Sequence, residues 1–275
     1  MTIETQTKDS ALETLLDDIP RQIESLRSAR ETFLTDAVLL GEIPSPTFGE
    51  GDRIRLVVDR FRENGLEEPT IDEFGNASGI IPGSSGESAI LVTAHADSVF
   101  SAETRHVLEV GSDHITGPGI ADNSIGLAAV VALPKLLDHL NIRFKDDLIL
   151  LANAKSLGRA NLEGARGFLD TMRRPIHAGI CVEGATQGRL SYSGLGALRG
   201  EITLNIPKNY DWSSFGAAGA ISHINRLINQ LMEIPLPKEP KSKMTFGGLT
   251  AGSSFNTSPK TGRLRFEITS EGDEV

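Results

Sequence analysis

Histidine and carboxylate side chains follow several apolar segments of this sequence, at points where buried strands would end. His95 and Asp97 come directly after the apolar run AILVTA, Asp122 lies in the glycine-rich segment TGPGIADNS, and Glu183 follows AGICV. A neutral imidazole together with carboxylates is a suitable ligand set for zinc, and a neighbouring carboxylate commonly orients such a histidine. These residue types therefore predict a metal site, provided that the fold brings the segments together.

Each of these signals, taken alone, has a simpler explanation. A histidine at a strand end is commonly a hydrogen-bonded core or surface residue, and Glu183 could be a solvated strand end. Asp122 could start a helix together with Asn123 or Ser124. If the segments end parallel strands of one sheet, however, they meet at the edge where functional residues of such sheets are found. That convergence favours a shared site.

The elements that would position these residues alternate between helices and apolar strands. The helical pattern ALETLLDDIPRQIESLRSARETFLTDAVLL is interrupted by Pro20, and DRIRLVVDRFRENG is a second amphipathic helix, ended by Gly65. Strands are predicted in TIDEF, ASGIIPG, AILVTA, DLILLANA and AGICVEG, and further helices in NSIGLAAVVALPKLLDHL and NLEGARGFLDTM. Apolar strands separated by helices indicate an α/β fold with a mostly parallel sheet, covered by helices on both faces.

The pattern changes near Leu195, where half-exposed strands replace fully apolar ones. Strands with alternating polarity are predicted in ALRGEITLNIP, KMTFGGLTAG and GRLRFEITS, and a long helix in SSFGAAGAISHINRLINQLMEI. We therefore predict two domains, an α/β domain over residues 1–194 and a smaller α+β domain over residues 195–275.

Composition limits the classes of partner. The chain has 275 residues, 39% of them hydrophobic, which is enough to bury a core. Its net charge of −10 at pH 7 and the lack of a basic run argue against nucleic acid or a membrane as partner. The N-terminal segment does not resemble a signal peptide, and no apolar run approaches the length of a membrane span, so the cytoplasm is expected. Cys181, the only cysteine, lies in an apolar stretch and is expected to be a small buried side chain.

Two strings resemble the motifs of a known family. AHADSV and GPGIADNSIG are similar to the His-x-Asp and Gly-Pro-Gly-x-x-Asp-Asn segments of the zinc-dependent aminoacylase, tripeptidase and desuccinylase group, metallopeptidase family M-twenty. The likeness runs from IPSPTFGEGD to the end of the chain. It implies a zinc-peptidase-like α/β domain with an inserted α+β lid that often forms a dimer contact. It also implies cleavage of peptide or N-acyl amino-acid amide bonds with two zinc ions.

The resemblance assigns roles to individual residues. His95 would bind the first metal, Asp97 would orient His95, Asp122 would bridge the two metals, and Glu183 would complete the first site. Asn256, in AGSSFNTSP, matches a lid position that contacts substrate.

The sequence also departs from the family pattern. Where the family has two adjacent glutamates, the segment NAKSLGRANLEGA places Ser156 at the position of the general base and Leu157 at that of a ligand to the second metal. A serine hydroxyl is a very poor base near neutral pH, and leucine cannot bind zinc. Tyr210, in KNYDW, occupies the place of the lid histidine that stabilises the reacting carbonyl oxygen. The family's last metal-binding histidine lies in a segment beyond the lid, and Val275 ends this chain inside the lid, so we expect that return segment to be missing.

These features predict a hydrolytically impaired relative that keeps one zinc ion, has lost the second site, and binds a peptide-like or acyl-amino-acid small molecule. A homodimer formed through the lid is expected from the resemblance. Two alternatives stay open. One is an active mononuclear zinc hydrolase or altered zinc chemistry, and the other is a structural or partner subunit, or a fragment.

Overall fold

The structure is a computed structural model that describes residues 3–184, 188–207 and 219–272. The chain divides into two compact units, Met1–Gly188 and Arg189–Val275. This division lies a few residues before Leu195, where the polarity pattern of the sequence changes.

The first unit consists of helices, a five-stranded sheet and a short hairpin. Its helices are α1 (Ile3–Leu26), α2 (Arg30–Glu42), α3 (Gly51–Glu63), α4 (Ile125–His139) and α5 (Glu163–Thr171). Its strands are β1 (Glu67–Ile71), β2 (Ala77–Ile81), β3 (Ala89–His95), β4 (Glu109–Val110), β5 (Ile115–Thr116), β6 (Asp147–Asn153) and β7 (Ile176–Cys181). Pro20 lies inside α1, and the helical pattern is instead broken by a 3₁₀ turn at Arg27–Ala29.

The five-stranded sheet is mixed and has the strand order β1-β2-β6-β3-β7. The strand β3 pairs in parallel with β6 on one side and with β7 on the other. The strand β2 pairs antiparallel with both β1 and β6. The carboxyl ends of β6, β3 and β7 therefore lie at one edge of the sheet, where His95 is in register with Asn153.

Helices cover both faces of this sheet. On one face, α2, α3 and α4 bury the main apolar core against the sheet, with Leu40, Val57, Phe61, Leu127, Val131, Val92 and Leu150 among its members. On the other face, Phe168 of α5 packs on a smaller cluster that includes Leu91 and Ile149. The edge strand β7 is exposed along most of its length. An α/β fold with a helix-covered sheet is thus confirmed.

One stretch in the described part of the chain, Ile120–His139, is long and apolar enough by length and composition to cross a membrane. The expectation from the sequence that no apolar run approaches the length of a membrane span is therefore wrong. More than half of its apolar window, 56%, is buried inside the unit, and Leu127, Val130 and Val131 are fully buried. A core helix passes the same test of length and composition, so its place in the core accounts for its apolarity.

The second unit is an antiparallel sheet with one helix. It contains β8 (Gly196–Asn205), α6 (Ala220–Met232), β9 (Ser242–Ala251) and β10 (Thr261–Ser270), and the strand order is β8-β10-β9. The helix α6 packs on β10, where Ile224 lies so close to Gly262 that a Cβ atom there would clash with it. Ion pairs such as Arg265 with Glu201 join neighbouring strands of the sheet.

Candidate metal site

The side chains of His95, Asp122 and Glu183 meet at the carboxyl edge of the five-stranded sheet. Nε2 of His95 lies 3.0 Å from Oδ1 of Asp122 and 3.6 Å from Oε2 of Glu183. One ligand atom from each residue lies within 4.8 Å of the others. The His95 side chain is buried, whereas those of Asp122 and Glu183 are 59% and 51% exposed. The group is therefore a candidate metal site that is anchored in the core and open to solvent.

Three separate elements supply these side chains. His95 is the last residue of β3, and Glu183 follows β7. Asp122 lies in a kinked turn, Ile120–Ser124, that leads into α4, and its own backbone is not helical. Gly119 precedes the turn with φ = 73°, a left-handed conformation that glycine adopts without strain. The glycines of TGPGIADNS thus allow the chain to turn sharply and to direct Asp122 back towards the strand end.

Asp97 is fully buried behind His95 and anchors two loops. Its Oδ2 atom accepts hydrogen bonds from Thr47 Oγ1 at 2.8 Å, from the backbone N–H of Ser156 at 3.0 Å and from that of Leu157 at 2.8 Å. Its Oδ1 atom lies 3.4 Å from Nδ1 of His95. The hydrogen bond to His95 runs instead to the backbone carbonyl oxygen of Asp97, 2.9 Å from Nδ1. With Nδ1–H donating to this carbonyl, Nε2 is left as the ligand atom.

The charges around His95 favour a positive charge at this place. Burial of the ring works against protonation, but the adjacent Asp97 carboxylate, 3.4 Å away, and the negative charges of Glu183 and Asp122 outweigh it and raise the pKa of His95. Burial would likewise raise the pKa of Asp97, but the His95 ring, 3.4 Å from Oδ1, and hydrogen bonds from the Leu157 N–H and Thr47 outweigh it and lower that pKa. A metal cation would supply the positive charge that this cluster of carboxylates favours, so the residues fit such an ion.

Ser156 and Leu157 contact the site through their backbone rather than their side chains. The Ser156 side chain is buried, and its Oγ atom accepts a short hydrogen bond from Nδ2 of Asn153. Glu163, the nearest acidic residue after them in sequence, forms an ion pair of 2.7 Å with Lys155. Ser156 and Leu157 therefore offer no carboxylate to the site.

The other residues singled out in the sequence lie elsewhere. Asn256 is exposed in the second unit, where its Oδ1 accepts a hydrogen bond from Ser254. Tyr210 lies outside the described residues. The expectation that Cys181 is a buried hydrophobic side chain is wrong, because β7 is an edge strand and Cys181 is exposed. Its Sγ atom lies 3.5 Å from Oε1 of Glu183.

Three polar residues at this edge were missed from the sequence. Thr47 bonds Asp97, Glu50 accepts backbone hydrogen bonds from Phe48 and Lys155, and Asn123 bonds the backbone on both sides of Glu183. A threonine and a glutamate in the turn segment IPSPTFGEGD carry no local signal of such contacts. Asn123 was considered only as the start of a helix.

Comparison with known proteins identifies the fold. Residues 76–193 match the family model described as Peptidase family M28, whereas no curated protein matches the sequence. The chain is similar to aminopeptidase PepT from Bacillus cereus, with 16% identity over 89% of this chain and 67% of that one, and a TM-score of 0.56. It is similar to YxeP from Bacillus subtilis, described as a dinuclear metal binding peptidase from the M20 family, with 15% identity, coverage of 90% and 66%, and a TM-score of 0.56.

A further similar structure is the di-peptidase Dug1p from Saccharomyces cerevisiae, with 12% identity, coverage of 92% of this chain and 72% of that one, and a TM-score of 0.69. The chain spans about two thirds of the length of the PepT and YxeP chains. At such low identity the solved structures show the fold alone. The chain therefore has the fold of M20-type peptidases, and the resemblance seen in its motifs is confirmed for the fold.

Proposed function

We propose that this chain binds one zinc ion through His95, Asp122 and Glu183, and that it binds a peptide-like or N-acyl amino-acid molecule with impaired hydrolysis. The observation that carries the proposal is the close approach of one imidazole and two carboxylates at the open edge of a metallopeptidase-type sheet. Nitrogen and carboxylate oxygen are both zinc ligands, and three protein ligands with one open position are typical of catalytic rather than structural sites.

The protein supplies the orientation of the site. The Asp97 carbonyl accepts the Nδ1–H bond that fixes the His95 ring and leaves Nε2 directed at Asp122 and Glu183. A zinc ion held there would act as a Lewis acid on a carbonyl oxygen of the ligand. The half-exposed carboxylates leave the site accessible to a small molecule.

Among the described residues, the position that the resemblance assigns to the general base carries no carboxylate. The Ser156 hydroxyl, at the family's general-base position, is hydrogen bonded to Asn153 and is uncharged near neutral pH. Loss of a general base typically lowers a rate by about 10²–10⁴-fold. Leu157 stands where the resemblance places a ligand to the second metal, which supports a single ion.

Zinc content tests the metal part of the proposal. The chain purified without added zinc should contain about one zinc per chain by elemental analysis, and His95→Ala should contain none. His114→Ala is the matched control, because His114 is an exposed histidine of the same unit whose recorded partner is Asp113. Absence of zinc from both the wild type and the control would refute the metal site.

Measurements of hydrolysis and of ligand binding test the second part of the proposal, that the chain binds such molecules but cleaves them poorly. Incubation with a panel of dipeptides and N-acyl amino acids should give little hydrolysis above buffer, while binding of some of these compounds should be detectable by calorimetry. Rapid cleavage that a chelator abolishes would instead support an active mononuclear zinc hydrolase, the alternative that the open three-residue site also allows. A homodimer formed through the second unit and a cytoplasmic location stay predictions from the sequence.

A further inference from the structure

The buried amide of Asn123 connects the turn before α4 to the end of β7. Its Nδ2 atom donates a hydrogen bond to the backbone carbonyl of Val182 at 2.8 Å. Its Oδ1 atom accepts one from the backbone N–H of Gly184 at 3.1 Å. Asn123 is only 1% exposed. One amide group therefore holds the backbone on both sides of Glu183, and it belongs to the residue that follows Asp122.

Glu183 lies where the sheet no longer holds the chain. Among the described residues, β7 pairs only with β3, and their register ends at Thr93 and Cys181. One more backbone hydrogen bond follows, from the N–H of Val182 to the carbonyl of Thr93 at 2.8 Å. Because β7 pairs with one strand only among the described residues, its sheet hydrogen bonds do not continue past Val182. The two bonds to Asn123 supply the restraint that the sheet does not.

The segment around the start of α4 and the segment after β7 are packed so closely that neither Gly126 nor Gly184 could carry a side chain. A Cβ atom at Gly126 would clash with Oδ1 of Asn123 and with the Val182 carbonyl. A Cβ atom at Gly184 would clash with Ile125 and with the Ala121 carbonyl oxygen. The glycines therefore allow the turn and the strand end to lie in direct contact.

We infer that Asn123 is a positioning residue that fixes the separation of the two carboxylate ligands, Asp122 and Glu183. This inference rests on the proposed metal site. Zinc requires its ligands at defined distances. If the two carboxylates are already held at those distances, zinc binding does not have to order the end of β7, and the free-energy cost of that ordering is avoided. Hydrogen-bond partners behind metal ligands typically contribute 10- to 100-fold to metal affinity.

Zinc affinity measured by competition with a chromophoric chelator tests this role. Asn123→Ala should bind zinc about 10- to 100-fold more weakly than the wild type, and its Co²⁺-substituted form should show an altered visible spectrum. Asn123→Ser, a milder change that cannot bridge both backbone groups, should also weaken binding. The matched control is Asn64→Ala, because Asn64 donates a similar amide hydrogen bond of 2.9 Å to the Val131 carbonyl of α4. That control should lose stability and keep its zinc affinity.

Hydrogen exchange in the metal-free protein gives an independent readout. The backbone N–H of Gly184 should exchange faster in Asn123→Ala than in the wild type and in Asn64→Ala. Equal exchange, or equal zinc affinity in folded Asn123 variants and wild type, would overturn the positioning role and leave the metal site standing. A wild-type chain that binds no zinc would refute the proposed function itself, and the inference with it.

Discussion

The backbone N–H of Lys155 donates a hydrogen bond of 2.9 Å to Oε1 of the buried side chain of Glu50. The same oxygen accepts a hydrogen bond of 2.9 Å from the backbone N–H of Phe48. Phe48 and Lys155 have φ angles of 73° and 53°, a left-handed conformation that costs energy in residues other than glycine. Each is the sequence neighbour of a residue that donates to Asp97, namely Thr47 and Ser156. Glu50 therefore stabilises two strained backbone positions in the loops that hold Asp97.

We expect Glu50→Ala to lower the free energy of unfolding by about 2–4 kcal/mol, because two backbone N–H groups lose their acceptor. Glu50→Gln should lose much less, since an amide oxygen can accept the same two hydrogen bonds. Urea denaturation of the metal-free chains, followed by circular dichroism, measures both. Equal stability of the alanine and glutamine variants would show that the shared acceptor contributes little.

The strand ends could be predicted from the sequence because their signals are local. The apolar runs before His95 and Glu183 each predict a strand and the point where it ends, and the glycine-rich segment around Asp122 predicts a turn. Parallel pairing of β3 with β6 and β7 then brings two of those ends to the same edge. This topology accounts for the convergence of His95 and Glu183, whereas Asp122 reaches the same edge from the turn before α4.

The contacts that hold the site could not be predicted in the same way. Thr47 lies 50 residues from Asp97, its hydrogen-bond partner, and Glu50 lies 105 residues from Lys155. Such pairs form only when the fold is complete, and neither residue stands out locally. The exposure of Cys181 was missed for a related reason, because an apolar sequence does not distinguish a central strand from an edge strand that only one neighbour covers.

If zinc binds the folded chain but not the unfolded chain, removal of the metal should lower the stability of the folded chain. A ligand at 100 times its dissociation constant stabilises the native state by about 2.7 kcal/mol. Thermal unfolding of the wild type should therefore begin at a lower temperature after a chelator is added, and added zinc should restore it. His95→Ala should show the same unfolding temperature with and without chelator. A chelator effect of equal size in both chains would assign the bound metal to another place.

The thiol of Cys181 should react slowly with alkylating reagents, although the residue is exposed. Partial burial of the sulfur, together with the nearby negative charge of Glu183, raises the pKa of this thiol to about 11. Because the thiolate is the reactive form, the alkylation rate of the metal-free chain should keep rising about tenfold per pH unit from pH 8 to 10. A free cysteine levels off above a pKa of about 8.5. Glu183→Gln should shift the profile of Cys181 to lower pH, and a plateau near pH 8.5 in the wild type would contradict the raised pKa.

Replacing Ser156 with glutamate should increase hydrolysis if the missing base limits the reaction. The backbone N–H of residue 156 would still donate to Asp97, so the substitution changes the side chain and leaves that anchor in place. We expect Ser156→Glu to cleave dipeptides or N-acyl amino acids about 10²–10⁴-fold faster than the wild type at equal zinc content. Ser156→Gln is the matched control, because it has nearly the same size and no basic carboxylate. Equal rates in the glutamate, glutamine and wild-type chains, with the fold of each verified by circular dichroism, would show that loss of the base does not explain the impairment.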